Sequence, residues 1–195
     1  MNRTSLALVA ACVVSATVSA QTSNGTPSVT ASLGSTVAQT APGARASDVK
    51  SLDAIMSALY DVISGPAGQK RDWDRMRALF ATGARLMPSV YAPDSVPFLR
   101  VWDVEQYIAT AGPRLEGAGF FEKEVARRTE AFGGVVHAFS TYESRRAAND
   151  PKPFVRGINS IQLFNDGTRW WIVSILWESE KPKTPIPAKY QRTTK

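Results

Sequence analysis

Asn159 and Ser174 are the polar side chains whose spacing most directly suggests a ligand site. Two apolar, β-favouring runs flank Asp166-Gly167, a pattern that predicts a hairpin with a two-residue turn. This turn would pair Asn159 with Ser174 among isoleucine and leucine neighbours. An amide and a hydroxyl placed there could present hydrogen-bonding groups to a bound molecule. Alternatively, they hydrogen-bond each other across the strands, because buried polar groups need partners.

A second hairpin is predicted around Gly133-Gly134. Its pairing places Tyr142, Ser140 and Arg127 on one face with small neighbours, as in a cavity wall. This face is therefore predicted to point inward, and Arg127 could bind a carboxylate or another anion. The alternative is that Arg127 is a solvated strand residue.

His137 is the only histidine and the obvious acid–base candidate near neutral pH. Strand alternation places it opposite Glu130 on the outer face, away from the predicted cavity. A single bulge would exchange the two faces and bring His137, Glu130 and Glu143 into the cavity as a general-base cluster. With one histidine and no ligand-like arrangement of carboxylates, no metal or other cofactor is expected.

Three helices are predicted before the long strands. They should begin near Ser47 or Asp48, Asp72 and Asp103, and end at Gly65-Pro66, Gly83 and Gly112-Pro113, where the last one kinks or ends. Tyr60 lies at the edge of the first apolar stripe, so its hydroxyl could reach the cavity mouth. Core packing is the alternative for this residue.

The strands that follow predict an α+β domain with helices on one side of an antiparallel sheet. Both faces of the last hairpin are mostly apolar, so both should be covered. The helices would cover the inner face. A second copy of the chain would cover the outer one, which gives a homodimer through Trp171, Val173, Ile175 and Trp177.

The order of elements and the closing pattern NDGTRWWIVSILW resemble the nuclear transport factor 2-like superfamily over residues 48–180. The resemblance implies three N-terminal helices packed in a strongly curved antiparallel sheet, a cystatin-like cone. It also implies that Trp170 and Ile172 face inward, and with them Asn159 and Ser174. The same fold is implied for ketosteroid isomerases, scytalone dehydratase and polyketide cyclases, so it does not fix a function. Related enzymes often carry His or Asp where this chain has Ser174 and Leu176.

The two ends of the chain have compositions that differ from the middle. Residues 1–20 resemble a secretory signal peptide, 21–46 a disordered Ser/Thr/Ala-rich linker, 47–180 the folded domain and 181–195 a basic, proline-containing tail. Export to the periplasm or the extracellular space is therefore predicted, with lipoprotein processing at Cys12 as the alternative. Cys12 is the only cysteine, so no disulfide is expected in the mature protein.

The positive charge of the chain is concentrated outside the predicted domain. Residues 48–180 carry 16 Lys/Arg and 17 Asp/Glu, whereas the last fifteen residues carry five positive charges and no acid. The domain is therefore not predicted to bind nucleic acid, although the tail could contact anionic surfaces.

The residues predict an exported domain that binds a small, partly apolar molecule or forms dimers. One alternative is a cofactor-independent lyase, isomerase or hydrolase that acts through Tyr142 with Asn159 or His137. The other is a purely structural assembly domain with a filled interior.

Overall fold

The computed structural model of the protein describes residues 43–91 and 96–191. The predicted signal peptide and most of the predicted linker lie outside the described residues. Within the described part, none of the helices has the length and apolar character needed to cross a bilayer.

Four α-helices precede or interrupt the first strands. They are α1 Ala46–Val49, α2 Leu52–Ile63, α3 Trp73–Leu79 and α4 Val104–Ala118. The predicted first helix is divided because Ser51 is extended, with φ −151° and ψ 163°, and its side chain caps α2 by accepting a hydrogen bond from the Ala54 amide. Asp72 and Asp103 cap α3 and α4 as predicted.

Two predicted helix ends are wrong. Helix α3 ends at Leu79 rather than at Gly83, because strand β1 begins at Phe80. Helix α4 continues through Gly112-Pro113 to Ala118. Gly112 packs against the indole of Trp73, where a Cβ would lie 3.2 Å from the ring. The glycine at this position therefore serves close packing and does not end the helix.

Six strands form one sheet in the order β2-β1-β6-β5-β4-β3. They are β1 Phe80–Val90, β2 Phe98–Leu99, β3 Phe121–Phe132, β4 Val135–Arg145, β5 Val155–Asn165 and β6 Trp170–Ser179. The pairs are antiparallel except for β1 with β6, which is parallel. Helix α2 contacts both β3 and β6. Three strand spacings of about 4.8 Å separate these strands, more than the width of one helix, so the sheet curls around α2. This agrees with the predicted α+β class.

The β3–β4 hairpin has the predicted register near its turn and a bulge further along. Phe132 faces Val135 and Arg127 faces Ser140, as the Gly133-Gly134 turn predicts. A shift at Val125 then places Glu124 opposite Tyr142, where unbroken pairing would place Val125. The bulge lies on β3, so β4 keeps its alternation, and Val136, Ala138, Ser140 and Tyr142 are buried as predicted.

The predicted two-residue turn between β5 and β6 is wrong. Asn165 pairs with Trp170, which leaves a four-residue loop. The Asp166 carboxylate stabilises this loop by accepting hydrogen bonds from the Thr168 amide at 2.7 Å and the Arg169 amide at 2.8 Å. The Asp166 side chain therefore accepts backbone hydrogen bonds within the loop. The prediction of a tight turn at Asp166-Gly167 does not include this role.

A bulge at Val173 changes the faces of β6 as well. Leu163 faces Ile172, but beyond the bulge Ile161 faces Ile175 and Asn159 faces Trp177. The predicted pairing of Asn159 with Ser174 is therefore wrong, because Ser174 lies opposite the exposed Gln162.

The predicted outer apolar face of Trp171, Val173, Ile175 and Trp177 does not exist as one surface. Ile175 belongs to the buried core, and Trp177 packs against it. Trp171 lies on the other face, where the Arg169 guanidinium stacks 3.5 Å from its ring centroid and Asp166 accepts its indole N–H. Val173 is exposed. The bulge separates these four residues because it inverts the alternation after Val173.

The C-terminal segment packs on the outer face of the sheet. Its short 3₁₀ helix, Ala188–Tyr190, brings the Tyr190 ring to 4.8 Å from the Phe139 ring. The Thr141 hydroxyl donates to the Tyr190 carbonyl at 2.6 Å, and Ile186 is buried. Residues 181–191 are therefore part of the folded unit.

Candidate functional site

A cavity of about 110 Å³ lies between the helices and the inner face of the sheet. Its wall is mostly apolar and aromatic. It also contains the carboxyl group of Glu122 and the side-chain amide of Asn159. The lining residues are Leu59, Tyr60, Ile63, Met76, Leu86, Tyr107, Phe120, Glu122, Tyr142, Asn159, Ile175 and Trp177. An apolar pocket with a few convergent polar groups is typical of small-molecule sites.

Glu122 is fixed at the cavity wall by contacts to both its backbone and its side chain. Its amide donates to the Ser64 hydroxyl at 3.0 Å, at the end of α2. Its carboxylate accepts a hydrogen bond from the Ser144 hydroxyl at 2.7 Å, across the β3–β4 pair. Within the described part of the chain, Glu122 forms no ion pair.

Burial raises the pKa of Glu122 to about 7, because an apolar environment disfavours the charged carboxylate. Hydrogen bonds from Ser144 and Asn159 favour the carboxylate and offset part of this effect. Near neutral pH both protonation states are populated. Glu122 can therefore act as a proton donor, a proton acceptor or an anionic partner for a ligand.

Three tyrosines share the cavity with Glu122. Burial raises the pKa of Tyr60, Tyr107 and Tyr142, to about 12 for Tyr142. The charge of Glu122 raises all three pKa values further, which shows that its carboxylate acts on each hydroxyl. All three therefore remain protonated at neutral pH and can donate hydrogen bonds.

Gly157 allows Tyr142 to take its place in the cavity. A Cβ on Gly157 would clash with the Tyr142 hydroxyl and with the Glu178 carbonyl. Tyr142 instead crosses the bare glycine and hydrogen-bonds the Ser179 hydroxyl at 3.1 Å. A glycine is needed here for close approach and not for an unusual backbone angle.

A directed hydrogen-bond chain runs from Asn159 to the edge of the sheet. The Asn159 amide nitrogen donates to the Tyr60 hydroxyl at 3.1 Å, and the Ser140 hydroxyl donates to Glu124. The hydroxyl oxygens of Tyr60 and Ser140 are 2.7 Å apart. Because Ser140 donates its proton to Glu124, Tyr60 is the donor to Ser140. Arg127 continues the chain, with ion pairs to Glu124 at 2.9 Å and to Asp53 at 2.6 Å. The chain fixes the Asn159 amide, whose orientation would otherwise be free.

The structure brings several of the predicted site residues together. Tyr60, Tyr142 and Asn159 line the cavity, and Ser140 and Arg127 adjoin it through the hydrogen-bond chain. Their role in binding stays a prediction.

The remaining predicted residues lie elsewhere. Trp170 packs against the core without lining the cavity, and Ser174 lies on the opposite face of the sheet. His137 pairs with Glu130 on the outer face, and its Nε2 is 2.9 Å from the Ser160 hydroxyl. The alternative general-base cluster is therefore not formed in the cavity, because the bulge lies on β3 and leaves the alternation of β4 unchanged.

Sequence reasoning missed Glu122 and Glu124 because unbroken pairing assigns their inward positions to Lys123 and Val125. The bulge at Val125 exchanges these pairs. The sequence does contain a signal for them: Glu122 and Glu124 are two residues apart, so they share one face of the strand. Either this face or the face of their neighbours must point inward.

Tyr60 and Glu122 also line a second pocket of about 520 Å³, the outer pocket. Arg145 and Lys123 also line this outer pocket. Glu122 therefore stands between an apolar interior and a polar approach. In residues 43–91 and 96–191, no cluster of three or more His, Cys, Asp or Glu side chains is arranged to hold a metal ion.

Comparison with known proteins finds likeness in structure and none in sequence. No protein-family profile matches the chain, and no curated protein matches it. Among solved structures, an NTF2-like protein of unknown function from Shewanella baltica OS155 is 16% identical, with a TM-score of 0.43, over 65% of this chain and 89% of that one.

Two further NTF2-like proteins of unknown function are similar. The one from Silicibacter pomeroyi DSS-3 is 15% identical, with a TM-score of 0.45, over 67% of this chain and 94% of its own. The one from Pseudomonas putida KT2440 is 14% identical, with a TM-score of 0.45, over 72% and 87%. Each of these three solved proteins is described as NTF2-like, the family that the closing strand pattern resembles.

Proposed function

We propose that the domain binds a small, partly apolar molecule in the cavity beside Glu122. One observation carries the proposal: a carboxyl group with no ion pair in the described structure lies on the wall of an apolar cavity. Removing a carboxylate from water without a counter-charge costs stability, so this arrangement is more easily explained by a ligand than by packing.

The volume of the cavity limits the ligand. A cavity of about 150 Å³ is large enough for benzene. The cavity of this protein, about 110 Å³, therefore suits a slightly smaller molecule, or one group of a larger molecule that extends into the outer pocket. This favours binding over a purely structural domain with a filled interior.

A fragment screen by protein-observed NMR would test binding. We expect hits that shift amide signals of Glu122 and Asn159 in the wild type. A cavity-filling variant, Ile63→Phe, should lose these hits and keep its fold, at a cost of about 1–3 kcal/mol from overpacking. If the same fragments bind both proteins equally, the cavity is not the binding site.

The second candidate is a cofactor-independent lyase or isomerase. The pKa of Glu122, about 7, supports this reaction class, because a general acid–base group works best when its pKa lies near the working pH. Glu122 would then move the proton, and Tyr107 or Tyr142 would donate a hydrogen bond to the developing oxyanion. This assignment replaces the predicted pairing of Tyr142 with His137, which lies on the other face.

Turnover of a carbonyl substrate would support the enzyme, with a rate that Glu122→Gln reduces at least 100-fold and Glu130→Gln does not change. Solvent-deuterium incorporation next to the carbonyl is the measurement. Equal exchange rates in the wild type and Glu122→Gln would exclude Glu122 as the base.

A further inference from the structure

The charges around the cavity are strongly unbalanced. The described residues that line it include Glu122 and no lysine, arginine or histidine. Of the basic side chains nearby, Arg127 and Arg145 already have partners, and Lys123 is exposed and forms no ion pair with Glu122 in the described structure. Arg127 pairs with Glu124 and Asp53, and Arg145 pairs with Glu143 at 2.8 Å and donates to the Asp150 carbonyl at 3.0 Å. The carboxylate of Glu122 is thus left without a counter-charge.

On the cavity side, the groups that face Glu122 from each neighbouring element are neutral donors or aromatic rings, whereas Asp61, Lys123 and Arg145 share the outer pocket with it. Helix α2 contributes Tyr60 and α4 contributes Tyr107, while β4, β5 and β6 contribute Tyr142 with Ser144, Asn159 and Trp177. On β3 itself, Glu124 adds a second negative charge at the other end of the hydrogen-bond chain. Because Arg127 pairs with Glu124, Glu122 is the charged side chain without a counter-charge among the described residues that line the cavity.

Aromatic rings supply the rest of the wall. Tyr107 and Trp177 are in edge contact, with ring centroids 6.3 Å apart, and Phe120 also lines the cavity. Aromatic faces attract organic cations through their quadrupoles, and methylated ammonium groups are commonly bound in such cages.

We propose that the cavity selects a small organic cation, an amine or a methylated ammonium group, whose charge lies at the Glu122 carboxylate and whose carbon atoms pack against the aromatic wall. This inference rests on the proposed function and specifies its ligand class. An anion would meet an unpaired carboxylate. A neutral acceptor that binds at the Glu122 carboxyl would need Glu122 to stay protonated, which becomes unfavourable above pH 7.

The sign of the pH dependence separates these ligand classes. A cation binds the ionised carboxylate, so its affinity rises as the pH increases through about 7. A neutral acceptor binds the protonated form, so its affinity falls over the same range.

Two probes of matched shape test the proposal: tert-butylammonium, which is charged at neutral pH, and tert-butanol, which is not. Their dissociation constants would be measured at pH 8 by titration monitored with amide NMR signals, on the wild type, Glu122→Gln and the control Glu130→Gln. Glu130 is exposed and lies on the outer face. We expect the cation to bind at least tenfold more tightly than the alcohol in the wild type and the control, and no difference in Glu122→Gln.

Each other outcome has a definite meaning. Equal binding of both probes to the wild type overturns the cation inference and leaves the binding cavity intact. No binding of either probe, or of any fragment in the screen, overturns both proposals. If Glu122→Gln does not fold, the wild type alone decides. Cation affinity should rise at least fivefold between pH 6 and pH 8, and a flat or falling affinity contradicts the proposal.

Discussion

At the scale of single residues, the Glu122 carboxyl lowers the stability of the folded protein when it is ionised, and it can also bind a ligand or transfer a proton. This carboxyl is hydrogen-bonded by Ser144 and the Glu122 backbone by Ser64, and the residue is half-buried. Its pKa is about 7, well above the ordinary value for glutamate near 4.3. Folding therefore favours the protonated form, and the ionised form destabilises the native state.

The first prediction concerns stability against pH. Because the folded pKa of Glu122 is raised, its favourable contribution is complete below about pH 4 and is lost as the pH rises through about 7. Relative to Glu122→Gln, the wild type should lose up to about 3 kcal/mol of unfolding free energy between pH 4.5 and pH 8. Urea denaturation at a series of pH values measures this. A constant difference between the two proteins would show that Glu122 is not buried.

The second prediction concerns the packing of Tyr142. Gly157→Ala should displace the Tyr142 ring, break its hydrogen bond to Ser179 and cost about 1–3 kcal/mol. Gly117→Ala is the matched control, because Gly117 lies in α4 with open space around it. The control should gain about 0.5–1 kcal/mol of stability from helix propensity. Equal effects in thermal unfolding would mean that Tyr142 does not cross Gly157.

At the scale of elements, Arg71 joins the ends of two helices beneath the cavity. Its buried guanidinium donates to the carbonyls of Ile63 at 3.1 Å and Gly65 at 2.6 Å after α2, and of Leu115 at 2.9 Å in α4. The carbonyls of Ile63 and Leu115 lie at helix ends, where intrahelical partners are missing, whereas the Gly65 carbonyl also accepts from the Phe120 amide at 2.9 Å. Arg71 thereby fixes the separation of the helices that carry Tyr60 and Tyr107.

The third prediction follows from this geometry. Arg71→Lys keeps the charge but loses the planar set of donors, so buried carbonyls are left unsatisfied. The unfolding free energy should fall by about 2 kcal/mol or more, whereas Arg114→Lys on the exposed side of α4 should change it little. Chemical denaturation compares them, and equal stability of the two variants would rule out a joining role for Arg71.

What the sequence predicted depended on whether a feature was local. The helix caps at Asp72 and Asp103 and the Gly133-Gly134 pairing up to the bulge come from short-range patterns, and the structure agrees with them. The inward face of β4 follows from the same pairing. These features need few long-range contacts, so sequence patterns capture them.

The bulges and the wider loop could not be predicted in the same way. Each bulge inserts one residue, and the loop contains two more residues than predicted. The lost strand pairing is offset by packing elsewhere, for example of Ile175 and Trp177 in the core. A single insertion reverses every later side chain. As a result, the sequence assigns Ser174 to the cavity and misses Glu122, whereas Tyr60, Tyr142 and Asn159 line the cavity and their role in binding stays a prediction.

At the scale of the whole molecule, residues 181–191 cover part of the outer sheet face, which the sequence predicted to be covered by a second copy of the chain. Ile186 and Tyr190 cover Phe139 and Thr141, while Val173 and Leu176 stay exposed. Self-association through the uncovered part stays a prediction, as does export of the chain.

The fourth prediction is that deletion of residues 181–195 destabilises the domain. It removes the burial of Ile186 and the stacking of Tyr190 on Phe139, worth about 2–3 kcal/mol or more, and uncovers apolar strand surface. Sedimentation at tens of micromolar should then show increased self-association. Lys183→Ala, at an exposed position, is the control and should change neither property. Unchanged stability after the deletion would show that the segment does not pack on the sheet.

The most direct test of the account is the titration of Glu122 by carboxyl ¹³C NMR, with Glu122→Gln used to assign its signal. We expect a midpoint near pH 7 in the free protein and a lower midpoint when tert-butylammonium is bound, because the cation stabilises the carboxylate. A midpoint near 4.3, the ordinary value for glutamate, would contradict burial of Glu122 at the cavity wall and the ligand site built on it.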